Sequence, residues 1–338
     1  MSAVADPTEL SEPWSAAELA ALRRDRRPLH RLAGALLRTP SLLAGTALLG
    51  GFGVLGLVAW AQFGGGIGTL QISFVWANQP NPSGPTLAHP FGVMNIIGID
   101  IAYALYQSIP WDLGLVGSIL VIAIFLGTVA GSWAGYAHGP VDWAVTSAVD
   151  LLLSVPPFFL VIILFVGLYN FVPVQDTLGL FVLLFAAVLW PYYARPVRAR
   201  AESVTAEPYV EAAHSVGSSR GRTLLRHVLP NALDPVFAQV PIDVYQVFFV
   251  LTVFPFLGCF GGNNPGHQFN WVTPLPTSNF PEWGNLLAQG ACYGLTPNDL
   301  GHFWWMWFFP ALVLLLFGVA VALTTDGLSV LFQPRESR

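Results

Sequence analysis

Lysine is missing from this chain: all 14 of its Lys+Arg residues are arginine. A phosphate loop of the form G-x-x-x-x-G-K-[ST] needs its lysine on the β/γ-phosphates, so no such ATPase site is present. Charge of either sign is scarce, at 10% of 338 residues against roughly 25% in soluble globular proteins. Hydrophobic residues make up 54%, and the mean hydropathy is +0.60. So little charge cannot coat a water-soluble surface of this size. It excludes a cytoplasmic enzyme, a disordered regulator and a nucleic-acid binder. The sequence contains no catalytic triad, cysteine-pair metal site, His-x-x-x-His spacing or glycine-rich phosphate loop, and no cofactor, metal or catalytic residue is expected.

What the sequence does contain is apolar chain in membrane-length pieces. A helix rising about 1.5 Å per residue needs about 20 apolar residues to cross the hydrocarbon core. Six segments qualify: Ser41–Phe63, Leu113–Tyr136, Trp143–Tyr169, Thr177–Tyr193, Val236–Cys259 and Phe303–Thr325. The third carries Pro156-Pro157 and is read as one span with a kink there. The first starts too far into the chain, and is too long, for a cleaved signal peptide.

The arginines orient these spans. Arg23, Arg24, Arg26, Arg27, Arg31 and Arg38 precede the first, and Arg335 and Arg338 follow the last. The other six, Arg195, Arg198, Arg200, Arg220, Arg222 and Arg226, lie between the fourth and fifth, while 64–112, 170–176 and 260–302 have none. The positive-inside rule then gives an all-α, multi-pass membrane protein with both termini cytoplasmic and the lipid bilayer as its first partner; the plasma (inner) membrane is its expected location. The expected organisation is a cytoplasmic tail (1–40), the first span (41–63), an outside loop (64–112), a core of five helices (113–330) and a short cytoplasmic tail (331–338). Within that core lie a cytoplasmic loop at 195–235 and an outside loop at 260–302. A helical stretch at Ala16–Arg27 either lies on the headgroups or is solvated. Cys259 and Cys292 flank the second outside loop and are either a disulfide closing it or two free thiols.

The cytoplasmic loop between spans four and five is the most informative stretch. Pro208 suits the first turn of a helix, and Gly217 suits the left-handed position that ends one. Ser218 or Ser219 can cap a second helix, and Pro230 is expected to end it. Glu211, Ala212 and Ala213 sit mid-helix, one acid beside two small residues that allow another surface to approach closely.

These residues resemble the EAA loop of ABC importer permeases. Glu211-Ala212-Ala213, Gly217, Leu229 and Pro230 fall on that pattern, with His227 where the family usually has Ile. His-Val-Leu-Pro-Asn is similar to the dipeptide/oligopeptide/nickel branch. So are Val149-Asp150 through Pro156, Pro281 through Gly290, and Asp326-Gly-Leu328, and together they resemble its C-type subunit. The resemblance implies a translocation pathway shared with a second homologous permease and two separate ABC ATPase subunits gripping the loop. It also implies an extracytoplasmic solute-binding protein that delivers di- or oligopeptides, nickel complexes or oligosaccharides. In that scheme Glu211 meets a basic residue of the ATPase groove, Ala212 and Ala213 pack, and Gly217 permits the turn. The family's Gly-Thr-Asp…Gly-Arg-Asp run is altered here to Phe91 through Asp100, without the Arg.

One charge lies inside a span. Asp243 is expected to cost about 2.5–3.5 kcal/mol near a bilayer centre. Gln239, Asp243 and Gln246 share a helix face, which lines the translocation pathway, faces a partner permease or lies near the wet interface. Asp142 and Asp150 flank the start of span three and suit helix ends better than a metal site. Trp304, Trp305 and Trp307 read as an interfacial belt. An ion-coupled secondary transporter would explain Asp243, but no inverted repeat is visible and the Glu-Ala-Ala loop would have no role.

Overall fold

The computed structural model describes residues 39–63, 83–94, 99–168, 171, 177–260, 282–294 and 302–332. The Ala16–Arg27 stretch, residues 64–82 and 261–281, and the side chains of Cys259 and Cys292 lie outside the described residues. In chain order the elements are α1 (Pro40–Phe63), the two-residue strands β1 (Val93–Met94) and β2 (Ile99–Asp100), α2 (Ile101–Ala137), α3 (Gly139–Leu153), α4 (Pro157–Leu168) and α5 (Thr177–Thr205). There follow α6 (Pro208–Ser215), α7 (Arg220–Thr223), a π-helical turn (Leu224–Val228) and α8 (Leu229–Asn231). Three more helices complete the fold: α9 (Asp234–Phe260), α10 (Trp283–Gly294) and α11 (Trp304–Phe332).

Helices α1, α2, α5, α9 and α11 are long and apolar enough to cross a membrane, and α3 with α4 form a pair bent by 91° that counts as one more span or as a re-entrant loop. Large apolar side chains such as Leu57, Phe125, Ile163 and Leu315 stand on the outer surface of this bundle. Water would not tolerate that much contiguous apolar surface; lipid does. Since lipid is as apolar as leucine, the helices are held by close packing of small residues. Gly127, Gly131 and Gly135, one turn apart on α2, press against the α5 backbone at Trp190, Ala194 and Arg198. Gly45 of α1 meets Thr324 of α11, and Gly327 of α11 meets Leu42 of α1.

Four boundaries differ from the hydropathy reading. Helix α2 starts at Ile101, so the last twelve residues of the expected loop 64–112 are helical. Asp100 causes this: its Oδ1 accepts the Tyr103 N–H at 3.0 Å and caps the helix, while its Oδ2 meets His89 Nδ1 at 2.7 Å. The third span is two helices at a right angle, because Pro156-Pro157 follow a turn at Ser154 whose N–H bonds back to Asp150 and Leu151. At 12 residues, α4 rises only about 18 Å by itself. Helix α5 runs twelve residues past Tyr193 to Thr205, where arginines replace apolar residues but find acidic partners. Finally, the expected loop 260–302 contains α10.

Helix α10 joins four elements. Trp283 is fully buried, with Phe52 of α1, Phe248 of α9 and Phe317 of α11 around its ring at 5.6, 5.9 and 5.7 Å. Its indole N–H donates to the Leu105 carbonyl at 3.0 Å and its backbone N–H to Asp112 Oδ2 at 3.2 Å, both on α2. Trp305 is likewise no interfacial anchor. It is buried, and its indole N–H donates to the Val93 carbonyl at 3.3 Å, tying β1 to α11.

Candidate functional site

At the arginine-bearing end of the bundle, α6 follows α5 after only Ala206 and Glu207. Both are held by turn hydrogen bonds, Ala206 N–H to Ser203 and Glu207 N–H to Val204. Val210 is buried and anchors α6, while Glu211 and Ala212 are exposed and Ala213 is half-buried. Among the described residues the Glu211 carboxylate forms no ion pair. Gly217 adopts φ +83°, a left-handed conformation that costs other residues roughly 1 kcal/mol or more. It lets the Ser218 N–H return to the Ala213 carbonyl at 3.0 Å, closing the helix end.

The second helix is less regular than the sequence suggests. Ser219 occupies the cap position but its hydroxyl makes no capping bond; instead the Thr223 hydroxyl, fully buried, donates to Ser218 Oγ at 3.1 Å. Pro230 does not end the helix. A π turn from Leu224 to Val228 precedes it, with the Leu229 N–H reaching Leu224, and Pro230 then sits in the first turn of α8, where its missing N–H costs nothing. Leu229 is half-buried and Pro230 exposed. The His227 ring lies 6.5 Å from that of Tyr209, joining the π turn to α6, and its carbonyl accepts the Asn231 amide at 2.6 Å.

Ion pairs fasten α5 to its neighbours just above this loop. Arg198 donates to both oxygens of Asp142 of α3, through Nε to Oδ1 and through Nη2 to Oδ2, the latter at 2.7 Å. Arg195 meets Asp150 of the same helix, and Arg200 reaches Asp234 at the start of α9 at 3.6 Å. Asp142 and Asp150 therefore bind arginines 56 and 45 residues away, contacts that no local pattern displays.

Within the membrane helices, Asp243 is fully buried between α9 and α5. Its Oδ1 accepts the Gln239 amide at 2.9 Å. The buried Tyr193 hydroxyl is turned toward it, but among the described residues neither that hydroxyl nor Asp243 Oδ2 closes a hydrogen bond of good geometry. Gln246 lies against the Tyr192 hydroxyl. The stripe thus meets two tyrosines of α5, which the sequence reading did not connect to it.

Two further polar groups were missed. Glu282 is buried and caps α10, accepting the Gly284 and Asn285 N–H groups at 3.1 and 3.0 Å. Its neighbour is the equally buried Asp112, whose Oδ1 has no hydrogen-bond partner among the described residues. Burial holds the Glu282 carboxyl well above the usual carboxylate range. Among the described residues no group of three His, Cys, Asp or Glu side chains is placed to hold a metal.

Residues 127–338, which contain α6, the π turn and the bent pair, match the model of the family described as "binding-protein-dependent transport system inner membrane component". The chain belongs to this family. It is a permease of an ABC importer and a multi-pass protein of the inner membrane. Among similar proteins, the permease is 28% identical over 252 residues to a probable D,D-dipeptide transport system permease of Escherichia coli (strain K12), covering 74% of this chain and 75% of that one. It is 26% identical over 251 residues to a putative peptide transport system permease of Brucella suis biovar 1 (strain 1330), with 74% and 75% covered. A solved amino acid ABC transporter with histidines aligns at a TM-score of 0.43 and 16% identity, over 68% of this permease and 93% of that chain.

Proposed function

We propose that this permease imports di- or oligopeptides, that it forms the pathway with a second permease, and that α6 couples it to two ATPase subunits. Nickel complexes and oligosaccharides are the alternative cargoes. The peptide reading is supported by the named substrates of the relatives, which are peptides or dipeptides. The proposed topology is six crossings with both termini inside, the bent pair α3–α4 counting as one.

The observation that carries the coupling reading is α6 itself. It is a short helix at the arginine-bearing end, anchored by buried Val210, ended by the left-handed Gly217, and presenting an exposed Glu211 with no ion pair among the described residues. An exposed acid followed by two alanines, on a helix two residues beyond α5, is suited to a basic groove on another protein. Ala212 and Ala213 permit that surface to approach closely, and His227, Leu229 and Pro230 hold the following turn. A secondary carrier gives this helix nothing to do. The extracytoplasmic partner is a solute-binding protein, facing the β1–β2 and α10 end. Gln239, Asp243 and Gln246 border the pathway, where Asp243 recognises a cargo amine.

The test is capture of the ATPase subunits in detergent by the native permease, by Glu211→Ala and by Gly217→Pro. Capture by the native chain and loss in both variants is expected. No capture by the native chain, with uptake driven by an ion gradient alone, overturns the reading.

A further inference from the structure

A cavity of about 620 Å³ opens where the ends of α2 and α5 meet α7. Trp133 and Tyr136 of α2, His138 at its junction with α3, Thr205 of α5, and Arg220 and Leu224 of the α7 stretch line it. The site therefore combines hydroxyls, aromatic rings and one fixed cation. Arg220 is exposed, and among the described residues neither it nor Arg222 nor Arg226 forms an ion pair, whereas Arg195, Arg198 and Arg200 all do.

An apolar track leads into the same cavity. Val121, Phe125, Val129 and Trp133 follow one another at four-residue steps on α2, and all four are exposed, at 67, 64, 44 and 50%. Twelve residues of helix rise about 18 Å, close to the depth of one leaflet of a roughly 30 Å core. The track ends at Trp133, an amphipathic ring of the kind that settles at the headgroup level, and Trp133 and Arg220 line the same cavity.

We propose that this cavity binds the phosphate of an anionic phospholipid at Arg220, with the acyl chains lying along the Val121–Trp133 track. The proposal goes beyond the coupling role of α6. Charge and shape agree on the occupant: a guanidinium with no ion pair among the described residues recognises a phosphate, and the track supplies apolar surface over the length that one leaflet of lipid occupies. A soluble anion would use Arg220 and leave the track bare. Binding there places a lipid between the end of α2 and the stretch that follows the coupling helix, so lipid composition would act on the joint between them.

The test uses the full chain in phosphatidylcholine nanodiscs. Brominated phosphatidylglycerol or brominated phosphatidylcholine is added, and Trp133 quenching is read as the difference between the native chain and Trp133→Phe. One arginine near an anionic surface corresponds to about a fivefold preference. The expected result is that preference for phosphatidylglycerol in the native chain, its fall to parity in Arg220→Ala, and its retention in Arg220→Lys. Millimolar inorganic phosphate leaves the quenching unchanged. Equal quenching by both lipids in the native chain overturns the proposal, as does a preference that survives in Arg220→Ala. A Trp133 signal that answers to inorganic phosphate and shows no lipid preference overturns it too, in favour of a free-anion site.

Discussion

Replacing Gly127 with alanine tests the seam that joins α2 to α5. A Cβ built there stands 2.5 Å from both the Trp190 carbonyl oxygen and Tyr193 Cβ, and 3.1 Å from the Ala194 nitrogen. Carbon atoms settle at roughly 3.5–4.0 Å, so α5 must retreat by about 1 Å, and Gly131 and Gly135 stand equally tight on the same line. Neither neighbour can swing aside, since one is backbone and the other the root of a buried ring. Overpacking of this kind costs about 1–3 kcal/mol, offset by roughly 0.5–1 kcal/mol from the better helix propensity of alanine. Gly117 lies on the same helix with no atom within 4 Å of a built Cβ, so Gly117→Ala receives the propensity gain alone. The two variants should differ by about 2 kcal/mol, or a few degrees in unfolding temperature followed by tryptophan fluorescence in detergent. Equal stability of the two would mean that the α2 and α5 backbones are not in contact at Gly127, and the account of how this bundle holds together would fail.

Three other outcomes follow from the polar groups. Asp100→Ala removes the α2 cap and the His89 partner and should lower stability by about 1 kcal/mol or more, whereas Asp100→Asn, which can still cap, should lose less; equal losses in the same melting assay would refute the cap. Burial raises Glu282, so the folded chain keeps a proton that the unfolded chain releases above about pH 4.3. Stability attributable to this group is full below that pH and falls as pH rises, by at most about 1.4 kcal/mol per unit; Glu282→Gln should flatten the melting-temperature profile between about pH 5 and about pH 7, and an unchanged slope would contradict it. Asp243→Asn should reduce uptake about tenfold or more if Asp243 meets a cargo amine, and full uptake of labelled peptide would remove it from the pathway.

What could be read from the sequence was what depends on neighbours in the chain. The apolar runs, and the turn of α6 at Gly217, are set within a few residues, because chain length and left-handed backbone are local properties. Pro230 misled because the π turn before it re-registers the helix so that its absent N–H falls in a first turn. The contacts made across the bundle were not legible. Arg198 finds Asp142 across 56 residues and Asp112 receives Trp283 across 171, and neither spacing is a signal. Trp305 looked like its neighbours Trp304 and Trp307 as a sequence triplet, and only the position of β1 makes it a buried donor. The Gly127-Gly131-Gly135 spacing was visible, but glycine in membrane helices is common enough that spacing alone did not name the partner helix.

The geometry also constrains how a pull on α6 travels. Only Ala206 and Glu207 separate α5 from α6, and their N–H groups bond back into the end of α5. A rigid joint of this kind transmits displacement directly into α5. That helix is packed along α2 by the glycine seam, ion-paired to α3 and α9, and set against Asp243 through Tyr193. Under the coupling proposal, α6 moves α5 and α2 as one body, and the α5–α9 contact is where that motion reaches the polar stripe. Inserting two glycines between Ala206 and Glu207 should leave both ends intact while making the joint compliant. ATPase capture, which needs only the surface of α6, should persist, and peptide uptake in the assembled importer should fall by at least about tenfold. Retained uptake would show that the force does not pass through this joint, and the route would have to be sought through the π turn and α9 instead.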